Sequence, residues 1–218
     1  MTRPTRTETG VISMLTHSQA LQRAPLAIID AYWHGLAEVS GEVPARAQID
    51  PRAIEDALDN AFLLHHLPEG VTRVRVAGLH LNDLAGKEVA GRPLGDLFHP
   101  EAREELARGL AAVFSGPAAL SLRLSAPEGF GQDALLGEMT VLPLRGERGQ
   151  ADRAIGGVVT SGPIGQTPRR FAIEELEITP IEGLAPLPAP RQGFAEPAAT
   201  WEPAPLSGQH LRLVISND

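Results

Sequence analysis

Leu120-Ser121-Leu122-Arg123-Leu124-Ser125-Ala126 alternates aliphatic and polar side chains without a break. Successive residues of a strand point to opposite faces, so the three leucines line a buried face and Ser121, Arg123 and Ser125 a solvated one. Two more strand candidates follow at 134–144 and 154–161. Gly-rich or charged turns separate the three, which predicts an antiparallel meander.

Working back from this stretch, His99-Pro100 opens a helix whose buried face is Leu106, Leu110, Val113 and Phe114, and Gly116-Pro117 stops it. Residues 80–91 read as short helical pieces punctuated by Gly86 and Gly91. Thr72-Arg73-Val74-Arg75-Val76 alternates again, and the apolar run 61–67 ahead of the turn Pro68-Glu69-Gly70 reads as a further strand. Asp50-Pro51 marks a helix start, with Ile54 and Leu58 on one face. Runs of strands with the helices segregated between them give an α+β class.

Residues 1–14 are polar and read as disordered. Thr16 and Gln19 have capping-box spacing, and Ile28, Ile29, Tyr32, Trp33 and Leu36 then form a wide apolar stripe. The run begins at Leu21, and Pro25 interrupts it before Ile28 as a kink or the first turn of a second helix. At the other end, nine of the 19 prolines lie between Pro163 and Pro205. That density predicts an extended arm over 163–218, closing on the strand-like Leu211-Arg212-Leu213-Val214-Ile215. The organisation expected is therefore a disordered 1–14, a helical extension 15–60, a core 61–162 and the arm 163–218.

Net charge is −8, from 19 Lys and Arg against 27 Asp and Glu. Such a surface repels phosphate backbones and anionic lipid, so neither nucleic acid nor membrane is an expected partner. The absence of cysteine removes disulfides, thiolate nucleophiles, cysteine zinc sites and a cysteine-linked flavin. No apolar stretch approaches a membrane span, and the polar first ten residues lack a signal-peptide core. The chain reads as cytoplasmic.

The element order, two strands, small helices, one longer helix and three strands, resembles a PAS domain. Tyr32-Trp33 with Leu36, Pro44-Ala45-Arg46, Ile49-Asp50-Pro51 and Arg75-Val76-Ala77-Gly78 are similar to a bacterial family of stand-alone PAS proteins. So are Gly86-Lys87-Glu88, Gly91-Arg92-Pro93-Leu94 and Asp96-Leu97-Phe98, with Val89-Ala90-Gly91 where that family has Leu-Thr-Gly. The resemblance covers about residues 30–162. It implies a curved five-stranded antiparallel sheet with short helices on one face, enclosing either a small ligand or packed side chains. It also implies a sensory module that acts by shifting contacts on its outer sheet face or flanking helices.

The titratable residues suggest no chemistry beyond this. His65 and His66, as strand neighbours, would point to opposite faces, and a surface turn before Pro68 accounts for them better than a metal. His80 and His99 fall where haem-binding PAS domains place an axial ligand, but His99 precedes Pro100 and suits a helix start. No nucleophile elbow, dinucleotide fingerprint or P-loop occurs. Glu101, Glu104 and Glu105 read as a solvated helix face. No catalytic residue, cofactor or metal ligand is therefore expected.

The interface candidates are Ile29, Tyr32, Trp33 and Leu36 on the N-terminal helix, and Arg73 and Arg75 on the second strand. For the helix, dimerisation and capping of the chain's own sheet both remain open. The expectation is a non-catalytic sensory or regulatory module working through protein–protein contacts, with a protein that binds a small apolar ligand as the alternative.

Overall fold

A computed structural model describes residues 7–129 and 133–185, with side chains from Arg23 onward. Six strands make one antiparallel sheet in the order β2-β1-β5-β4-β3-β6. They are β1 (Ala61–His66), β2 (Thr72–Ala77), β3 (Ala118–Ala126), β4 (Leu135–Leu144), β5 (Arg153–Ser161) and β6 (Ala172–Pro180). The helices are α1 (Thr7–Ser40), α2 (Leu79–Ala85) and α3 (Arg103–Ser115), joined by short 3-10 turns.

The alternation in β3 works as the leucine pattern requires. Leu120, Leu122 and Leu124 are all at least 98% buried. They join Phe62, Leu64, Val141, Val158 and the α3 residues Leu106, Leu110 and Val113 in one core on the inner face of the sheet. A second, smaller core lies on the outer face, where Ile29, Trp33 and Ala37 of α1 pack on Leu142, Leu144 and Ile155. Spacings of four residues put these three on one side of the helix. The sheet is thus sandwiched between α1 on one face and α2 and α3 on the other.

Two glycines set the approach distances. A Cβ on Gly157 would stand 2.7 Å from Ile29 Cδ1 and 2.9 Å from Leu26 Cδ2, so its hydrogen lets α1 lie close on β5. At Gly78, between β2 and α2, a Cβ would fall 2.2 Å from the Leu58 carbonyl. Backbone contact is the reason for that glycine.

Several expectations change. The sheet has six strands rather than five, and the sixth lies within the stretch read as a proline-rich arm. Residues 163–171 cross the helical side first: Arg169 N–H donates to Leu84 O at 2.7 Å, and Phe171 N–H to Leu97 O at 2.9 Å. Phe171 is 1% exposed and belongs to the inner core. β6 then pairs with β3 along its length. Its pattern escapes a period-2 reading because of a bulge: Arg123 pairs with Glu175 and Leu124 with Ile173, which leaves Glu174 as the extra residue. Ile173 and Leu176, three apart, both pack on the inner core as a result.

α1 begins at Thr7, ahead of the Thr16 start that capping-box spacing predicts, and runs unbroken through Pro25. His65 and His66 lie in β1, not in a turn. Residues 186–218, with the strand-like Leu211–Ile215 stretch, lie outside the described residues, as do residues 1–6.

Candidate functional site

The candidates on α1 divide by burial. Ile29 and Trp33 are fully buried against the chain's own sheet, and the Trp33 indole donates to Pro143 O at 2.7 Å. Tyr32 and Leu36 sit half-buried at the edge of the same core. Tyr32 OH also accepts from Asp50 N–H at 2.8 Å and so ties the helix to the following 3-10 turn.

Arg73 and Arg75 lie on the edge strand β2, where a bulge breaks the regular alternation. Leu63 pairs with Val76 and Leu64 with Val74, so Arg75 has no partner across the ladder. Arg73 pairs with His65 and donates to Gly91 O at 2.9 Å, which fixes it to the loop after α2. Arg75 is exposed. The bulge also turns Val76 outward, and its 51% exposure is the opposite of what plain alternation predicts.

Val76 is not alone there. Leu79, the first residue of α2, is 59% exposed, and Leu58, whose carbonyl abuts Gly78, is 40% exposed. Reading 50–58 as an α-helix puts Leu58 on the buried face with Ile54. The segment Pro51–Ala57 is instead a 3-10 helix, with Ile54 and Ala57 buried. Ile54 departs from helical geometry (φ −127°, ψ 30°), so the segment kinks there and Leu58 does not continue the face of Ile54. Three exposed apolar residues thus lie near Gly78, Val76 and Leu79 through the chain and Leu58 through its carbonyl, with the exposed Arg75 one residue before Val76. No linear signal marks this group, because a bulge and a 3-10 turn create it.

The histidines serve packing. His66 stacks on Phe114 of α3 at 4.5 Å, and its Nδ1 lies 3.0 Å from Thr72 Oγ1. His65 pairs with Arg73 on the other face, the opposition expected of strand neighbours. His80 Nε2 is 3.1 Å from Thr160 Oγ1, joining α2 to β5. Burial lowers the pKa of His80 and of His66, with nearby Asp83 and Asp152 respectively acting in the opposite direction. Desolvation leads the lowering at His65 as well, reinforced by Arg153. His99 stands at the N-cap position of the 3-10 turn Pro100–Ala102 that leads into α3, without a side-chain capping bond, the helix-start position its sequence suggests.

Residues 21–159 match the family model described as a PAS domain. The chain belongs to the PAS domain family. The sheet sandwiched by helices is the domain itself, β6 is added to it from beyond the matched residues, and α1 begins before them. Among curated proteins none matches the sequence. The structure is similar to light-oxygen-voltage domains, all distant. One, from a study of a flavin analogue in such a domain, is 18% identical with a TM-score of 0.38, covering 51% of this chain and 83% of that one. The light state of the photoreceptor Aureochrome1 LOV is 19% identical with a TM-score of 0.35, covering 51% of this chain and 87% of the other. An RNA-binding light-oxygen-voltage receptor is 19% identical with a TM-score of 0.35, and only 35% of its chain is covered. Within the described residues no helix of this PAS protein is long and apolar enough to cross a membrane.

Proposed function

We propose that this PAS protein is a non-catalytic regulatory module whose output is a contact with another protein, made at the β2 edge around Gly78. The observation that carries the reading is the exposure of Leu58, Val76 and Leu79 beside Arg75. Large apolar side chains grouped on a surface and rimmed by charge mark protein contacts more often than chance exposure does. An arginine at such a rim adds a directional, charged anchor. The free side of β2 is covered at Val74, which bonds the backbone of Gly91 and Arg92, so the proposed contact is made by side chains around Gly78 rather than by strand pairing. A role without chemistry draws support from His66 and His80, whose rings serve contacts of α3 and α2 with the sheet.

The alternative, a small apolar ligand held between sheet and helices, draws less support. Side chains such as Phe62, Leu81, Phe98 and Phe171 fill that space as one cluster of buried residues.

The test is co-purification from the native host with wild-type protein and with Val76→Glu, Leu79→Glu and Arg75→Glu. All three positions are exposed, so the variants should melt as the wild type does. A protein retained by the wild type and lost with each variant supports the reading. Equal retention by all four, or nothing retained by the wild type, removes the contact from this edge.

A further inference from the structure

Arg169 is a buried cation with no counter-ion among the described residues. It is 1% exposed, and its guanidinium donates to three neutral carbonyls: Ile164 at 3.1 Å, Asp133 at 2.7 Å and Ala126 at 3.4 Å. Among the described residues no carboxylate lies within ion-pair distance of it. Carbonyls satisfy its hydrogen bonds, but neutral dipoles do not cancel a full positive charge.

Beside Arg169 lies a cleft of about 180 Å³. Its floor includes Val74, Val89 and Leu97, all at least 96% buried. Its rim carries Lys87, Arg92, Arg103 and Arg170, with Asp96 as the one acid. Asp96 stands 3.9 Å from Arg92 and offsets part of that charge. Five of the protein's 19 basic residues thus meet at one small concavity of a chain whose net charge is −8. Cations gathered over a low-dielectric floor focus a positive potential there, against the sign of the molecule as a whole.

From this arrangement we infer that the cleft is a binding site for a small organic anion, with a carboxylate or phosphate head among the cations and a short apolar stem on the floor. The head sits among the exposed Lys87 and Arg170, beside the Arg92 that Asp96 partly neutralises. Its charge offsets at longer range that of Arg169, whose guanidinium is turned to carbonyls of residues outside the cleft lining. Arg169 and Arg170 follow the residues matched by the family model, so two of the five cations come from this chain's own addition to the domain. The backbone bond from Arg169 N–H to Leu84 O holds that addition against α2. Occupation of the cleft would clamp residues 168–170, β2 and the loop after α2 together.

The test is a titration of the full chain followed by NMR, with sodium chloride used to match ionic strength. The probes are butyrate, butyl phosphate, inorganic phosphate and butanol. Saturable shifts at Lys87, Arg92 and residues 168–170 with butyrate, butyl phosphate or both, and none with butanol, are expected. Whichever of the two binds tighter names the head group. Lys87→Gln and Arg170→Gln, both at exposed positions, should each weaken binding about tenfold, the scale of one charge-assisted hydrogen bond. The inference is overturned if neither organic anion saturates, if chloride reproduces the shifts, or if both variants bind as tightly as the wild type. Tighter binding of inorganic phosphate than of both organic probes would remove the apolar stem from the proposal.

Discussion

The indole Nε1 of Trp33 donates to the carbonyl of Pro143 at 2.7 Å, joining α1 to β4 across 110 residues of sequence. The bond is available because β4 pairs with β3 only as far as Val141. Pro143 thus falls between the end of the β3 pairing and the bridge from Arg145 to Ala45, a gap where a strand tolerates proline and where its carbonyl can accept from a side chain. Trp33 is fully buried by this packing, so the helix and the sheet depend on each other.

Trp33→Ala is expected to cost about 3–5 kcal/mol, the range for truncating a buried tryptophan. Trp33→Phe keeps most of the apolar area but leaves the Pro143 carbonyl without its donor, at about 1–3 kcal/mol. Chemical denaturation measures both. The losses should not depend on protein concentration, because the contact lies within one chain. A loss that disappears at high concentration would place this face between two copies.

Ending the chain after Gly162 should abolish cooperative folding. That cut removes β6, the buried Phe171 and Arg169 with its three carbonyl contacts. Ending it after Ala185 keeps all of these, and its thermal melt should match that of the full chain. Circular dichroism melts of the two truncations separate the outcomes, and a stable 1–162 fragment would show β6 to be dispensable.

Gly157→Val tests the seat of α1. The new methyl groups would meet Ile29 and Leu26, and overpacking of this kind costs about 1–3 kcal/mol. Gly157→Ala should cost less, since both opposing atoms end flexible side chains. A neutral valine variant would mean that α1 can lift from β5 without loss.

Stability should fall on mild acidification. Burial holds His80 and His66 below the usual 6.5, so the unfolded chain takes up protons first. The contribution is undiminished above pH 6.5 and is lost as pH falls from there through the lower folded-state values. Replacing His80 with Gln keeps a partner for Thr160 and removes one titration. The stability curve of that variant should be flatter below pH 6.5, and a curve parallel to the wild type would assign the pH dependence elsewhere.

Arg169→Met keeps length and apolar packing but removes the donor from three carbonyls, of which that of Ala126 is buried and those of Ile164 and Asp133 are partly exposed. The unpaired Ala126 carbonyl costs about 1–3 kcal/mol, and the two that water can reach cost less. Arg169→Lys should also destabilise, since an ammonium cannot span three acceptors arranged around a planar fork. Urea unfolding measures both, and a neutral lysine variant would show that one contact carries the site.

Local pattern alone determined much of this protein. The leucine alternation in β3, the apolar face of α3 and the Asp50-Pro51 helix start each follow from period and capping, which act over a few residues. Asp50 does accept from Arg52 N–H at 3.0 Å. The apolar stripe of α1 was equally legible, but not what it covers: Ile29 and Trp33 meet β4 and β5 only after the chain has folded back over more than a hundred residues. β6 stayed hidden because Glu174 bulges out of register and breaks the period on which strand reading depends. Val76 and Leu58 surface for the same kind of reason, one displaced by the bulge at Arg75 and the other by a 3-10 turn. Arg169 looks like any arginine in a proline-rich stretch, and only the tertiary structure buries its charge beside a basic cleft. Short-range periodicity is written in neighbouring residues, whereas bulges, helix type and charge burial are settled by partners far along the chain.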